Sequence, residues 1–120
     1  LARFSSFEEI EAWKKARLFN KVIYTITNDG FFSKDFDLAR QIRRASVSIS
    51  SNIAEGFERN TNKEFIHFLY IAKASAGEVR SQLYLAFDLK YIDEIQFDKL
   101  INEVLEISKI ISGLIKYLNK

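Results

Sequence analysis

Apolar residues return along this chain every three or four positions, and nowhere for long at every second one. That spacing is the stripe of an amphipathic helix, not the alternation of a strand. It is clearest toward the C-terminus, where Phe97, Leu100, Val104, Ile107, Ile111, Leu114 and Leu118 form a seam of the knobs-into-holes kind. Ala12, Ala16, Phe19, Ile23 and Ile26 make a comparable face near the start, with Trp13 beside it. Leu38, Ile42, Ala45, Ser46, Ile49 and Ile53 make another. Capping signals divide the pattern. Ser6 with Glu9, Thr61 with Glu64 and Asp93 with Gln96 have capping-box spacing, and Ser33 can cap a further helix. Asn28, Asp29 and Gly30 close the first helix, and Gly56 lies near the end of the second. The predicted helices cover about 7–28, 34–57, 62–90 and 94–119, joined by short turns. They read as one all-α domain, an antiparallel up-down-up-down four-helix bundle.

The third helix does not fit a segment with one dry side. Phe65, Phe68, Leu69, Ala72, Ala76, Val79, Leu83 and Phe87 supply the expected core face. Ile66, Tyr70, Gly77, Ser81 and Tyr84 form a second stripe, and Ile71, Leu85 and Leu89 add a third apolar side. Every helix of a four-helix bundle is peripheral, so this surplus predicts contacts between copies; deeper burial within one protomer is the alternative. On the second helix, Ser48, Ser51 and Ala54 give the predicted outer face small residues, leaving room for a neighbouring helix. The expected interface is therefore Ser48, Ser51, Ala54, Ile66, Tyr70, Gly77 and Tyr84.

Composition narrows the picture further. At 120 residues the chain is long enough for a core without staples, and 48% hydrophobic with 28% charged residues is a globular composition that argues against disorder. There is no cysteine, hence no disulfide framework and no thiolate metal site. No apolar run is long enough to span a membrane, and LARFSSFEEI lacks the apolar segment of a secretory signal, so a cytoplasmic protein is expected. The net charge is only +2, so overall charge does not point to nucleic acid. Basic residues are instead clustered: Lys14, Lys15, Arg17 and Lys21, then Arg40, Arg43 and Arg44, then Arg59 and Lys63. A solvated face with local partners, such as Glu11 with Lys15, is the commoner meaning of any one cluster. Repeated around an oligomer, the same clusters become a field that phosphates feel.

Catalytic signals are weak. The serines of the second helix lack a positioned base, and packing accounts for them better than nucleophilic chemistry. Glu64 and His67 form one Glu-x-x-His, but a di-iron bundle needs two, and the chain has a single histidine. Neither a phosphate-binding glycine loop nor a zinc pattern occurs. No enzyme activity, cofactor or metal is expected.

The stretch Gln41-Ile42-x-Arg44-Ala45, Ser48-Ile49-x-x-Asn52-Ile53-Ala54-Glu55-Gly56 and Arg59 resembles the four-helix-bundle family of the 23S rRNA intervening-sequence proteins. Lys63-Glu64-Phe65, Phe68-Leu69, Ile71-Ala72, Ser75, Glu78 and Gln82-Leu83 continue the likeness, which covers nearly the whole chain. Phe31-Phe32-Ser33 stands where many relatives carry a proline, a difference confined to turn geometry. The resemblance implies a homopentameric ring, similar to the accessory protein of diversity-generating retroelements, a basic pentameric barrel that binds nucleic acid. Arg40, Arg43, Arg44, Arg59 and Lys63, with Lys14 and Lys15 second, are the expected phosphate contacts. RNA or DNA and further copies of the chain are the expected partners, with no membrane. A protein-protein scaffold, in which the same arginines meet acidic partners or Glu55 across an interface, is the rival expectation.

Overall fold

Stripes at helical spacing hide their apolar residues by lying side by side. The computed structural model describes residues 4–120 and contains four helices: α1 (Glu11–Thr27), α2 (Phe36–Glu58), α3 (Asn62–Asp88) and α4 (Glu94–Leu118). Each packs on the next, and α4 closes back on α1, giving the antiparallel bundle with no strand among the described residues. The molecule measures 45 × 21 × 19 Å, about one long helix by two helix diameters, so every helix keeps an outward face.

The core follows the stripes. On α2, Leu38, Ile42, Ala45, Ser46, Ile49 and Ile53 are all buried. On α1 the buried set is Ala12, Ala16, Phe19 and Ile23, with Thr27 rather than Ile26 completing it. On α3, Phe68 and Phe87 are only half-buried at the flanks of the core face. On α4 the seam drifts: Ile115 is buried and Leu114 is half-buried, as happens when a helix of 3.6 residues per turn outruns a strict 3.5 repeat.

Three of the predicted caps form differently. Ser6 makes no side-chain cap; Phe7–Glu9 is one 3-10 turn, and Glu9 Oε1 accepts instead from the Ser5 N–H at 3.4 Å. Ile10 then adopts an extended backbone that buries its side chain, so α1 starts only at Glu11. Ser33 does not cap α2 either. It sits in the 3-10 turn Gly30–Lys34, where its hydroxyl donates to the Gly30 carbonyl at 2.7 Å and Phe32 is driven into the core. Asp35 is the real cap, accepting from the Leu38 N–H at 3.1 Å. Thr61 caps α3 by accepting from the Glu64 N–H at 3.2 Å, but the return bond is missing because the Glu64 carboxylate turns to Arg59. Asp93 and Gln96 form the complete reciprocal box on α4.

Two seams hold the helices in register. Between α1 and α2, Asn20 Oδ1 accepts from Ser46 Oγ at 2.7 Å while its Nδ2 donates to Ser50 Oγ at 3.0 Å. Each of these polar groups has a partner, which is what burial requires. Between α2 and α3, the most extensive helix pair, Ser75 Oγ donates to Ser48 Oγ at 3.0 Å. Ser48 thus belongs to the inner α2–α3 seam and not to the outer face on which the pattern placed it. Its hydroxyl also accepts from Asn52 Nδ2 at 2.8 Å. Further along that seam Gly56 is buried, and a Cβ there would lie 2.6 Å from Phe68 Cβ and 3.3 Å from the Phe65 carbonyl oxygen.

The turn between α3 and α4 is tied to α2. Tyr91 is half-buried, and its hydroxyl donates at 2.9 Å to Oδ2 of Asp35, the carboxylate whose other oxygen caps α2. Its ring tilts against Phe32 at 5.3 Å. The hydrogen bond to Asp35, aided by partial desolvation and the carboxylate's charge, raises the Tyr91 pKa above the ordinary phenol value.

Gly56→Ala is expected to lower stability by about 1–3 kcal/mol, because the contacted atoms are a Cβ and backbone with little freedom to give; the urea midpoint measures it. A phenol with a raised folded-state pKa stabilises below its unfolded value, near 10, and loses that contribution as pH rises through the folded value. Tyr91→Phe should therefore lack the part of the wild-type stability loss that sets in above about pH 10, read from urea midpoints across an alkaline series.

A candidate nucleic-acid interface at the α1–α2 corner

Arg40, Arg43 and Arg44 occupy positions i, i+3 and i+4, so α2 presents all three guanidinium groups within little more than one turn. The register of the α1–α2 seam brings the C-terminal turn of α1 beside them. The result is a groove of about 600 Å³ whose lining includes Tyr24, Thr27, Phe36, Arg40, Arg43 and Arg44, and no aspartate or glutamate.

Arg43 is held in place. Its Nε donates to Thr27 Oγ1 at 2.7 Å, and that buried hydroxyl donates in turn to the Ile23 carbonyl at 2.7 Å. Its guanidinium carbon stands 4.8 Å from the centre of the Tyr24 ring, a cation–π contact. Arg40 and Arg44 are exposed. Among the described residues, none of the three has a carboxylate within ion-pair distance.

The remaining basic residues lie elsewhere. Arg59 is sixteen residues along α2 from Arg43, about 24 Å at 1.5 Å per residue, and Lys63 is just beyond it at the start of α3. Arg59 is also occupied: it pairs with Glu55 at 3.2 Å and Glu64 at 3.4 Å, and covers the Phe68 ring at 5.0 Å. The Glu55 pair is an i, i+4 contact within the chain. Lys63 and Lys14 are exposed, whereas Lys15 bridges Glu11 at 3.7 Å and Glu106 of α4 at 3.3 Å. One protomer therefore brings together Arg40, Arg43 and Arg44 and separates them from Arg59, Lys63, Lys14 and Lys15.

Sequence reasoning missed Tyr24, Thr27 and Phe36. The first two belong to a different helix, and only the α1–α2 register places them against Arg43. Phe36 carried a signal, since a phenylalanine four residues before Arg40 shares its helix face, and it is 72% exposed.

A second surface runs along the outside of α3. Tyr70, Ile71, Tyr84, Leu85 and Leu89 are exposed there, while Ile66 is half-buried. Tyr84 leans edge-on against Phe97 at 5.0 Å, and Phe97 stacks on Phe87 at 4.7 Å. Gly77 lies on this face, and a Cβ there would meet nothing within 4 Å. On α2, Ser51 is exposed and Ala54 half-buried. His67 is exposed with its ring against Phe68, and no group of three potential ligands gathers for a metal among the described residues. No helix among those residues is long and apolar enough to cross a membrane.

The sequence profile of the 23S rRNA-intervening sequence proteins matches residues 8–113. The chain is also similar to a crystal structure of a protein of unknown function from the S23 ribosomal protein family of Bacteroides thetaiotaomicron. The two share 30% sequence identity over 88% of this chain and 95% of that one, with a TM-score of 0.80. No curated protein matches.

Proposed function

The chain belongs to the 23S rRNA-intervening sequence protein family, and from that footing we propose that it is a non-enzymatic homo-oligomer, a ring of five, that binds nucleic acid through its phosphates. The observation that carries this reading is the arginine groove. Three guanidinium groups without carboxylate partners among the described residues converge on one hollow, and no acid lines it. Unneutralised like charge destabilises the folded chain by self-repulsion, and a bound polyanion relieves it. The mode is charge neutralisation, tolerant of sequence and steeply dependent on salt. Arg59, Lys63, Lys14 and Lys15 contribute as secondary contacts, repeated around the ring. On this reading the protein acts as a cytoplasmic nucleoprotein scaffold without a cofactor, comparable to the accessory protein of diversity-generating retroelements.

The outer face of α3 supports the assembly. A glycine inside a helix costs roughly 1 kcal/mol relative to alanine. Gly56 has a reason within the protomer, since Phe68 fills the space a Cβ would take; Gly77 has none, because only open space lies beyond it. Flanked by exposed Tyr70 and Tyr84, it is suited to close approach by a neighbouring copy. In a ring of identical copies two different patches meet at each contact, which fits a chain with apolar surface on more than one side.

Light scattering is expected to give about five times the 14.0 kDa protomer mass, and Gly77→Lys should reduce that mass while leaving the helical content unchanged. A monomer at micromolar concentration would remove the ring from this reading. For the ligand, labelled RNA and duplex DNA titrated across a salt series should bind at low salt, with affinity falling linearly on a log–log plot. The double reversal Arg43→Glu with Arg44→Glu is expected to weaken binding by roughly tenfold or more and to flatten the slope. Absence of affinity at low salt, or indifference to the double reversal, would overturn the phosphate reading.

A further inference from the structure

The groove is more than a positive patch, because an aromatic ring stands at its edge. Phe36 is in the first turn of α2, 72% exposed, one turn before Arg40 on the same face. It belongs to the groove lining and to that of the adjoining cleft, where Phe31 is 74% exposed. Large apolar rings left in water forgo the stabilisation that burial supplies. Tyr24, on the facing helix, is 47% exposed even with Arg43 against its ring.

Resting on the nucleic-acid reading above, we propose that this groove takes a single-stranded segment, one base stacking on Phe36 while the adjoining phosphate sits on Arg43. The geometry of Arg43 suits the phosphate. Its Nε is engaged by Thr27, which leaves the two terminal nitrogens as a fork that matches two phosphate oxygens. Because Thr27 and Tyr24 already hold the guanidinium, little side-chain freedom is lost on binding. Arg40 and Arg44, one turn apart on the same helix, meet the neighbouring phosphates. Phe36 suits the base. Every base has a π-face, so stacking adds affinity without sequence reading. A duplex has its base faces stacked on one another, and would use the arginines while leaving Phe36 idle.

The test uses the full chain with two probes, a labelled oligouridylate or oligothymidylate and a blunt DNA duplex carrying the same number of phosphates. Phe36→Ala is expected to weaken single-strand binding by about five- to a hundredfold, the range for loss of one stacked base, and to leave duplex binding within twofold. Phe36→Trp should restore or exceed wild-type single-strand affinity. Thr27→Val, which unseats Arg43 without removing charge, should weaken single-strand binding while the salt slope stays the same. Equal loss for both probes, or no loss for either, would overturn the single-strand proposal and leave the phosphate reading standing. If Phe36→Ala instead lowers the oligomer mass, Phe36 is a subunit contact and the proposal fails. If the wild-type chain binds neither probe at low salt, the phosphate reading itself falls.

Discussion

The close approach of α2 and α3 at Gly56 is the constraint from which most of the architecture follows. With Phe68 Cβ occupying the space of a missing side chain, the two helices can pair along their length, and the Ser48–Ser75 contact falls into line within the same seam. α2 is the hub of the fold. It holds α3 on one side through small residues and α1 on the other through Asn20, Ser46 and Ser50. A polar contact with every partner satisfied has one good register, and a slip by one turn would strand its amide and hydroxyls. That register is what sets Thr27 beside Arg43. The groove is thus an outcome of packing decided at some distance from it.

Most of the fold was legible because helical period, cap and turn residues agreed with one another. Where local and tertiary demands conflicted, tertiary demands won. Ser6 and Ser33 had the chemistry of helix caps, yet burying Ile10 and Phe32 required an extended residue in one place and a 3-10 turn in the other. Asp93 and Gln96 faced no such competition and formed the expected box. The arginine cluster could be read because it lies within one helix. Its companions on α1 could not, since spacing along a sequence carries no information about which turn of another helix will lie alongside. The same limit concealed the pairing of Arg59 with Glu64 and the inward position of Ser48.

Charge is distributed unevenly in a way the net value hides. Lys15 and Arg59 stand beside carboxylates that claim them. The start of α2 carries three arginines with none within ion-pair distance among the described residues, and Asp35 and Asp37 nearby belong to the helix cap and the adjoining cleft. A protein of charge +2 can therefore present one strongly positive corner without a basic composition. Exposed ion pairs such as those of Arg59 add little stability, but they do lower the local potential, so the arginines of the α1–α2 corner keep more of their field than Arg59 and Lys15 do.

The order of the helices has a kinetic side. Each helix packs on its neighbours in sequence through turns of a few residues, so most contacts are local and the conformational search is short. Bundles of this type fold in microseconds to milliseconds. With no proline anywhere in the chain, no slow peptide-bond isomerisation delays the last step. The protomer is thus complete almost as soon as it is made. For such a chain, the slow event in reaching any higher-order state is the meeting of copies, and concentration sets its pace.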